Sequence, residues 1–378
     1  MAASTGYSSI ATNGLVFAYD TADSFNSYKG EPTTNYWNGN QFSIYNDGAT
    51  NVRNSTDVAP PVPGYEVVKV TANNIGTYGQ CILWNSTFPN NNVATITNSI
   101  YAYLTVGDYV QVGQHWWPWY YGTQKSIAKN QWVRISETYT INEGNSYGNA
   151  ALTYSTNGIA YFAMPQYEYK SHVTPFIGAN QTRSNTQGLL DISGGNNTIT
   201  LTNMTYDANA LPTFDGTDDY INIPHNSAIA PSTGYISVEA IFKAASAGSE
   251  NGSIIYNKEN EYEMSAGGGY ISYAFRPNWA WVGSTAFNTN QWYHTMLTYD
   301  QSYQRLYVNG VQVYSAALSG AIGNVYSEAL RIGARGGNGA AYGFFNGQIP
   351  VVKIYNRALS AGEVKQNYNF YKTRFSLP

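Results

Sequence analysis

Along most of the chain, apolar residues alternate with polar ones or gather in short runs, with clusters of Gly, Asn, Ser and Pro between them. Side chains on a strand point alternately to its two faces, so this pattern predicts strands. Its recurrence at short intervals predicts a sandwich or jelly roll. Gly14–Asp20 reads as a short strand. From Tyr36 to about Phe176 the runs Tyr65–Val70, Ile100–Val106, Tyr109–Val112, Val133–Tyr139 and Ile159–Met164 follow with turn signals between them. Gln181–Asn185 is polar and could join two modules. Tyr220–Ile223 and Ile236–Phe242 alternate with period two. Arg305–Tyr314 reads as a hairpin about Asn309-Gly310, the favoured pair for a two-residue type I′ turn. That turn predicts Val308 facing Val311 and Leu306 facing Val313 on one side, with Tyr307 and Gln312 on the other.

A triplet occurs twice: Asn130-Gln131-Trp132 and Asn290-Gln291-Trp292, each opening an apolar run. The repetition suggests two β-sandwich modules of related design. One short helix is predicted near the C-terminus. Ser360 and Glu363 have capping-box spacing, and Val364, Tyr368 and Tyr371 follow on one stripe. The predicted fold class is therefore all-β, with two antiparallel β-sandwich domains and one short C-terminal helix.

Composition sharpens this picture. Only 11% of residues are charged, against about 25% in a typical soluble protein. Asn, Thr, Ser, Gly and 35 Tyr take their place, which suits pleated surfaces and tight turns. The net charge is -4, and no basic run offers a footprint for nucleic acid. No stretch approaches the roughly 18 apolar residues of a membrane span. Met1–Thr12 lacks the pattern of a secretion signal. Cys81 stands alone, so an intrachain disulfide is impossible, and it reads as a small buried hydrophobe. An extracellular-looking composition without signal or disulfides fits a protein made in a cytoplasm and released by lysis, and some cytoplasmic β proteins also meet that description.

In the second half, Phe214–Ile221 (Phe-Asp-Gly-Thr-Asp-Asp-Tyr-Ile), Ser237–Phe242, Asn290–His294, Leu306–Gly310, Phe345–Ile349 and Ile354–Ser360, then Glu363, follow one another. In that order these pieces resemble the laminin-G-like, concanavalin A-like jelly roll of tailed-phage virion proteins. The family's opening strand and following turn look separated here, as Gly14-Leu15-Val16 and Leu190–Gly194. The resemblance therefore implies an insertion: residues 1–34 as arm and first strand, 35–182 as an inserted jelly roll, and 183–378 as the main part of the concanavalin A-like domain. Pro165–Glu168 and Thr174–Ile177 resemble the close of carbohydrate-binding-module-like domains. Two tandem sandwiches, with Gly14–Asp20 in the first, remain the alternative.

Several residues invite chemistry. Trp116, Trp117, Trp119, Tyr120 and Tyr121 form an aromatic cluster, and Trp279 and Trp281 a second. Sugars pack flat C–H faces on such rings, but Trp also fills cores and subunit interfaces. Asp215, Asp218 and Asp219 could supply oxygens to calcium or could simply cap turns. Glu259, Glu261 and Glu263 alternate, but the Glu-x-Asp-x-x-Glu pattern of related glucanases is absent, and the expectation is an exposed acidic strand face. The four His are scattered, with His294 expected to be structural, and there is no nucleophile elbow or phosphate loop. The resemblance thus implies a non-catalytic virion surface protein (capsid decoration, head fibre or tail-associated subunit) with lectin-like glycan adhesion. Expected partners are other virion proteins, host glycans and further copies of the chain, not nucleic acid or membrane. No cofactor is required, with calcium as the one candidate. A purely architectural subunit and a polysaccharide-degrading enzyme are the alternatives.

Overall fold

The computed structural model describes residues 9–37, 43–47, 49–72, 80–84, 94–116, 119–141, 148–154, 158–230, 234–249, 252–322, 327–337 and 340–378. It is built from antiparallel strands and, among the described residues, one α-helix, as the apolar pattern predicts. No helix among them is long and apolar enough to cross a membrane. The chain divides into two compact units, residues 1–31 with 184–378, and residues 32–183.

In the 32–183 unit, one five-stranded sheet runs in the order Trp132–Ile141, Ala94–Val106, Ile159–Glu168, Val67–Ala72, Ala49–Val52. The other runs Ser43–Asp47, Gln80–Trp84, Gly148–Tyr154, Tyr109–Trp116, Trp119–Lys125. Val68, Val70, Ile100, Ala102, Leu104, Ala160 and Phe162 of the first meet Val110 and Val112 of the second, with Trp37 among them. The period-two residues thus form the core. Burying them supplies the favourable term that offsets chain ordering.

The other unit packs an eight-stranded sheet on a seven-stranded one. The first contains Pro212–Asp215, Asn346–Tyr355, Ile236–Ala244, Trp292–Tyr299, Tyr303–Val308 and Val311–Ala317 in that order, and Leu15–Asp20 also pairs with Asn346–Tyr355. The second runs Thr200–Thr202, Tyr220–Ile223, Leu330–Ile332, Ile254–Lys258, Tyr262–Gly267, Tyr270–Phe275, Val282–Ala286. Phe17, Val238, Phe242, Leu297, Val352 and Ile354 of the first sheet face Ile221, Tyr262, Met264, Tyr273 and Ile332 of the second. The helix, Ala361–Lys372, carries the predicted capping box at Ser360 and Glu363 and buries Val364, Asn367, Tyr368 and Tyr371.

The repeated triplet has one local solution in both units. Asn130 (φ 58°) and Asn290 (φ 60°) adopt left-handed backbone, and the Trp two residues on begins a long strand. Asn tolerates that region better than most residues. The Asn309-Gly310 turn has both φ values positive, 52° and 73°, as type I′ requires. Val308 faces Val311, but Leu306 faces Tyr314, not Val313. A register shift between Leu306 and Tyr307 corrects the expected pairing: Tyr314 packs edge-to-face on Tyr273, and Val311 and Val313 are left 60% and 41% exposed.

Candidate functional site

The aromatic run of the first half lies at the end of a hairpin. Tyr109–Trp116 pairs with Trp119–Lys125, with Trp116 opposite Trp119, His115 opposite Tyr120, and Gln114 opposite Tyr121. Pleating therefore puts positions 114, 116, 119 and 121 on one face of the ribbon. Trp119–Lys125 is the terminal strand of its sheet among the described residues. Trp117 lies outside the described residues, and Trp116, Trp119, Tyr120 and Tyr121 are placed by backbone register. Trp279 and Trp281 sit in the other unit, between Tyr270–Phe275 and Val282–Ala286. Trp279 is half-buried and Trp281 is 36% exposed.

Asp215, Asp218 and Asp219 come together where Pro212–Asp215 turns toward Tyr220–Ile223, with one oxygen of each carboxylate within 4.8 Å of the others. Asp219 is fully buried. Its Oδ2 accepts from Thr205 Oγ1 (2.8 Å), Asp215 N–H (2.9 Å) and Thr205 N–H (3.3 Å). Burial pushes its carboxyl above the usual range, Asp215's charge adds to this, and the accepted bonds pull it partly back. Asp215 Oδ1 accepts from Thr217 N–H at 2.7 Å, and Asp218 Oδ2 from Asn203 Nδ2 at 3.1 Å. The three carboxylates thus stitch their own turn, and their oxygens could also contribute to a calcium shell of about 6–8 ligands.

The Glu259, Glu261 and Glu263 series is not an exposed strand face. Glu261 and Glu263 are wholly buried. Asn260 takes left-handed backbone (φ 60°), so Glu259–Glu261 form a turn before Tyr262–Gly267 begins. Glu263 faces away from the sandwich core, under a small hairpin of Arg335–Gly337 and Ala340–Tyr342. Arg335 Nε lies 3.2 Å from Glu259 Oε2 and 3.4 Å from Glu263 Oε1, and Asn257 Oδ1 accepts from Gly336 N–H at 2.8 Å. Burial lifts the Glu263 carboxyl to about 7, against the pull of Arg335 and with a push from Glu259. Glu261 pairs with buried Lys258 at 3.1 Å, an ion pair without hydrogen-bond alignment. A retaining glycosidase needs two open carboxyls about 5–5.5 Å apart. Here a guanidinium joins two carboxylates, and one of them is closed to solvent.

Residues 215–365 match the family described as the concanavalin A-like lectin/glucanases superfamily. This stretch is a concanavalin A-like jelly-roll domain. Solved structures also align. The receptor-binding domain of a botulinum neurotoxin C/D mosaic serotype does so at 18% identity over 49% of each chain, TM-score 0.39. Domain 4 of an extracellular GH43 arabinanase from Geobacillus stearothermophilus, in complex with arabinotriose, does so at 18% identity over 49% of this chain and 93% of that one, TM-score 0.37. The binding domain of Paraclostridial Mosquitocidal Protein 1 gives 17% over 48% and 49%, TM-score 0.38. The match thus spans about half of each toxin domain's length. No curated protein matches the chain.

The concanavalin A-like domain also contains a polar cluster that its sequence hardly betrays. His294 Nε2 lies 2.9 Å from Glu239 Oε1, and Lys353 Nζ 3.2 Å and Asn367 Nδ2 2.8 Å from Glu239 Oε2. All four are buried, Asn367 on the inward side of the helix and the other three on the strands. Lys353 and His294 hold the Glu239 carboxyl down at about 2 despite its burial. Asn367 Oδ1 accepts from Ala11 N–H (2.8 Å), and Tyr355 Oη donates to Ala11 C=O (3.1 Å). The cluster fastens helix, sheet and N-terminal segment together, which gives His294 a structural role. The one available signal was Lys353, a lone charge within the apolar run Ile349–Tyr355.

Proposed function

We propose that the protein is a non-catalytic structural subunit of a tailed-phage virion surface that adheres to host glycans. It would serve as a capsid decoration, head fibre or tail-associated subunit, and be made in the host cytoplasm. The aromatic hairpin carries this reading: its register gathers Trp116, Trp119 and Tyr121 positions on one face at the end of a terminal strand. Trp and Tyr supply flat apolar area with a polar edge, which sugar rings need. The concanavalin A-like match supports a lectin-like role. The closed Glu259–Arg335–Glu263 cluster supports binding without hydrolysis. Weak sites become effective when many copies act together, so the reading includes homo-oligomers and other virion proteins as partners. Calcium at Asp215, Asp218 and Asp219 would only reinforce a turn that is already bonded.

Titrating the protein with host surface polysaccharide while following Trp fluorescence tests the proposal. Binding should saturate, survive EDTA, and disappear in Trp119→Ala with the thermal midpoint unchanged. A second, purely architectural reading draws on the edge strand Val311–Ala317, which leaves Val311 and Val313 exposed. Loss of assembly in Val311→Asp, with no sugar binding by the wild type, favours that alternative.

A further inference from the structure

The 32–183 unit contains a cavity of about 350 Å³, at the small end of the roughly 300–1,000 Å³ typical of ligand pockets. Trp37 lines its deep side, and half-buried Tyr65 and Phe176, whose rings meet edge-to-face at 5.3 Å, line its flank. Met164 adds apolar surface, and Glu66 and Gln181 add polar groups.

The pocket is built, not incidental. Asn35, fully buried, accepts at Oδ1 from Trp37 N–H and Tyr167 N–H (3.0 Å each). It donates from Nδ2 to Pro165 C=O (3.1 Å) and Ile177 C=O (3.0 Å). A side-chain amide has two donors and two acceptor sites, so Asn35 is saturated while it ties three wall segments together. Gln166 Oε1 accepts from Ile177 N–H at 2.9 Å, and Gln166 Nε2 donates to Thr174 Oγ1 at 3.0 Å. Glu168 accepts from Thr174 N–H at 2.9 Å and from Thr33 Oγ1 at 3.0 Å. This gives the Pro165–Glu168 and Thr174–Ile177 runs their physical meaning: alternate polar residues of a strand fasten the loop that closes the cavity. Between Ala163 and Gln166 the strand register slips, which takes Met164 and Pro165 out of the ladder and into the pocket wall. Met164 has φ 57°, a left-handed backbone that is uncommon for a non-glycine residue and tends to cluster at binding sites.

We propose that this pocket takes a single neutral pyranose ring at the end of a glycan, an inference that rests on the adhesion reading above. Its size suits one ring and not an extended chain. Tyr65 and Phe176 offer apolar surface to the C–H face. The Glu66 carboxylate is oriented by Arg53, whose Nε and Nη2 lie 2.8 and 3.1 Å from its two oxygens, and remains an acceptor for sugar hydroxyls. Gln181 can both donate and accept. None of the described lining residues is basic, and the Arg53 guanidinium is already engaged with Glu66, so an acidic sugar would set its carboxylate beside Glu66 with no basic side chain of the lining to meet it.

The test titrates the full chain with the methyl glycosides of glucose, galactose, mannose and N-acetylglucosamine, and with methyl glucuronide, using saturation-transfer NMR. Host polysaccharide binding by affinity electrophoresis runs in parallel. At least one neutral glycoside should bind, at least tenfold more tightly than the glucuronide. Tyr65→Ala and Gln181→Ala should each weaken it by tenfold or more; Gln181 is exposed, so its variant keeps the test decisive if Tyr65→Ala fails to fold. Polysaccharide binding by the wild type without glycoside binding, unchanged glycoside binding in the variants, or equal binding of glucuronide overturns the pocket assignment and leaves the adhesion reading standing. Failure of the wild type to bind either kind of probe removes both.

Discussion

Glu239 and Glu263 are carboxylates on strands of one domain, both closed to solvent, and their surroundings pull them in opposite directions. Glu239 titrates near 2 instead of the ordinary 4.5 because Lys353 and His294 surround it. It therefore contributes stability in full above about pH 4.5, and that contribution is lost as the pH falls toward 2. Glu263 titrates near 7 because burial and Glu259 outweigh Arg335. The folded state holds its proton more tightly than the unfolded chain, so stability is fully present below about pH 4.5 and declines as the pH rises through 7. Urea unfolding from pH 3 to 8 should show both slopes. Glu263→Gln should shrink the upper one, to which Asp219 and Glu261 also contribute. Glu239→Gln should shrink the lower one, to which Glu363 also contributes, and cost about 3–5 kcal/mol, because Lys353 is left buried without its charge partner. A flat profile in the wild type would contradict both assignments. These clusters were poorly legible in sequence. Period two says which face a residue occupies, but not that a C-terminal helix or a glycine-rich hairpin later covers that face.

Local elements were far more legible, because their signals are local. Ser360 and Glu363 predicted the helix start, and Asn309-Gly310 predicted the turn. The turn now makes a further demand. Gly310 has φ 73°, and a Cβ there would lie 2.8 Å from the Tyr368 ring. Gly310→Ala should cost more than the roughly 1–2 kcal/mol of a left-handed L-residue, because it also pushes on the helix. Thermal unfolding measures this, and a loss below 1 kcal/mol would count against the packing described. The register shift after Leu306 was not legible. It depends on Tyr314 reaching Tyr273, a contact between strands of different sheets that no window along the chain contains. The pocket was missed for a related reason. Trp37, Tyr65 and Phe176 are far apart in sequence and meet only through Asn35 and the slip at Met164.

At the scale of the whole molecule, the chain is low in charge and divides into two compact units. The proposed adhesion rests on positions 116, 119 and 121 of the 32–183 unit and on Trp279 and Trp281 of the other. The most direct test is one sample in which the intact protein is titrated with host surface polysaccharide while Trp fluorescence and free reducing ends are both followed. The account predicts a saturable fluorescence change with no new reducing ends. Steady release of reducing ends, or no fluorescence response at any polysaccharide concentration, would contradict it.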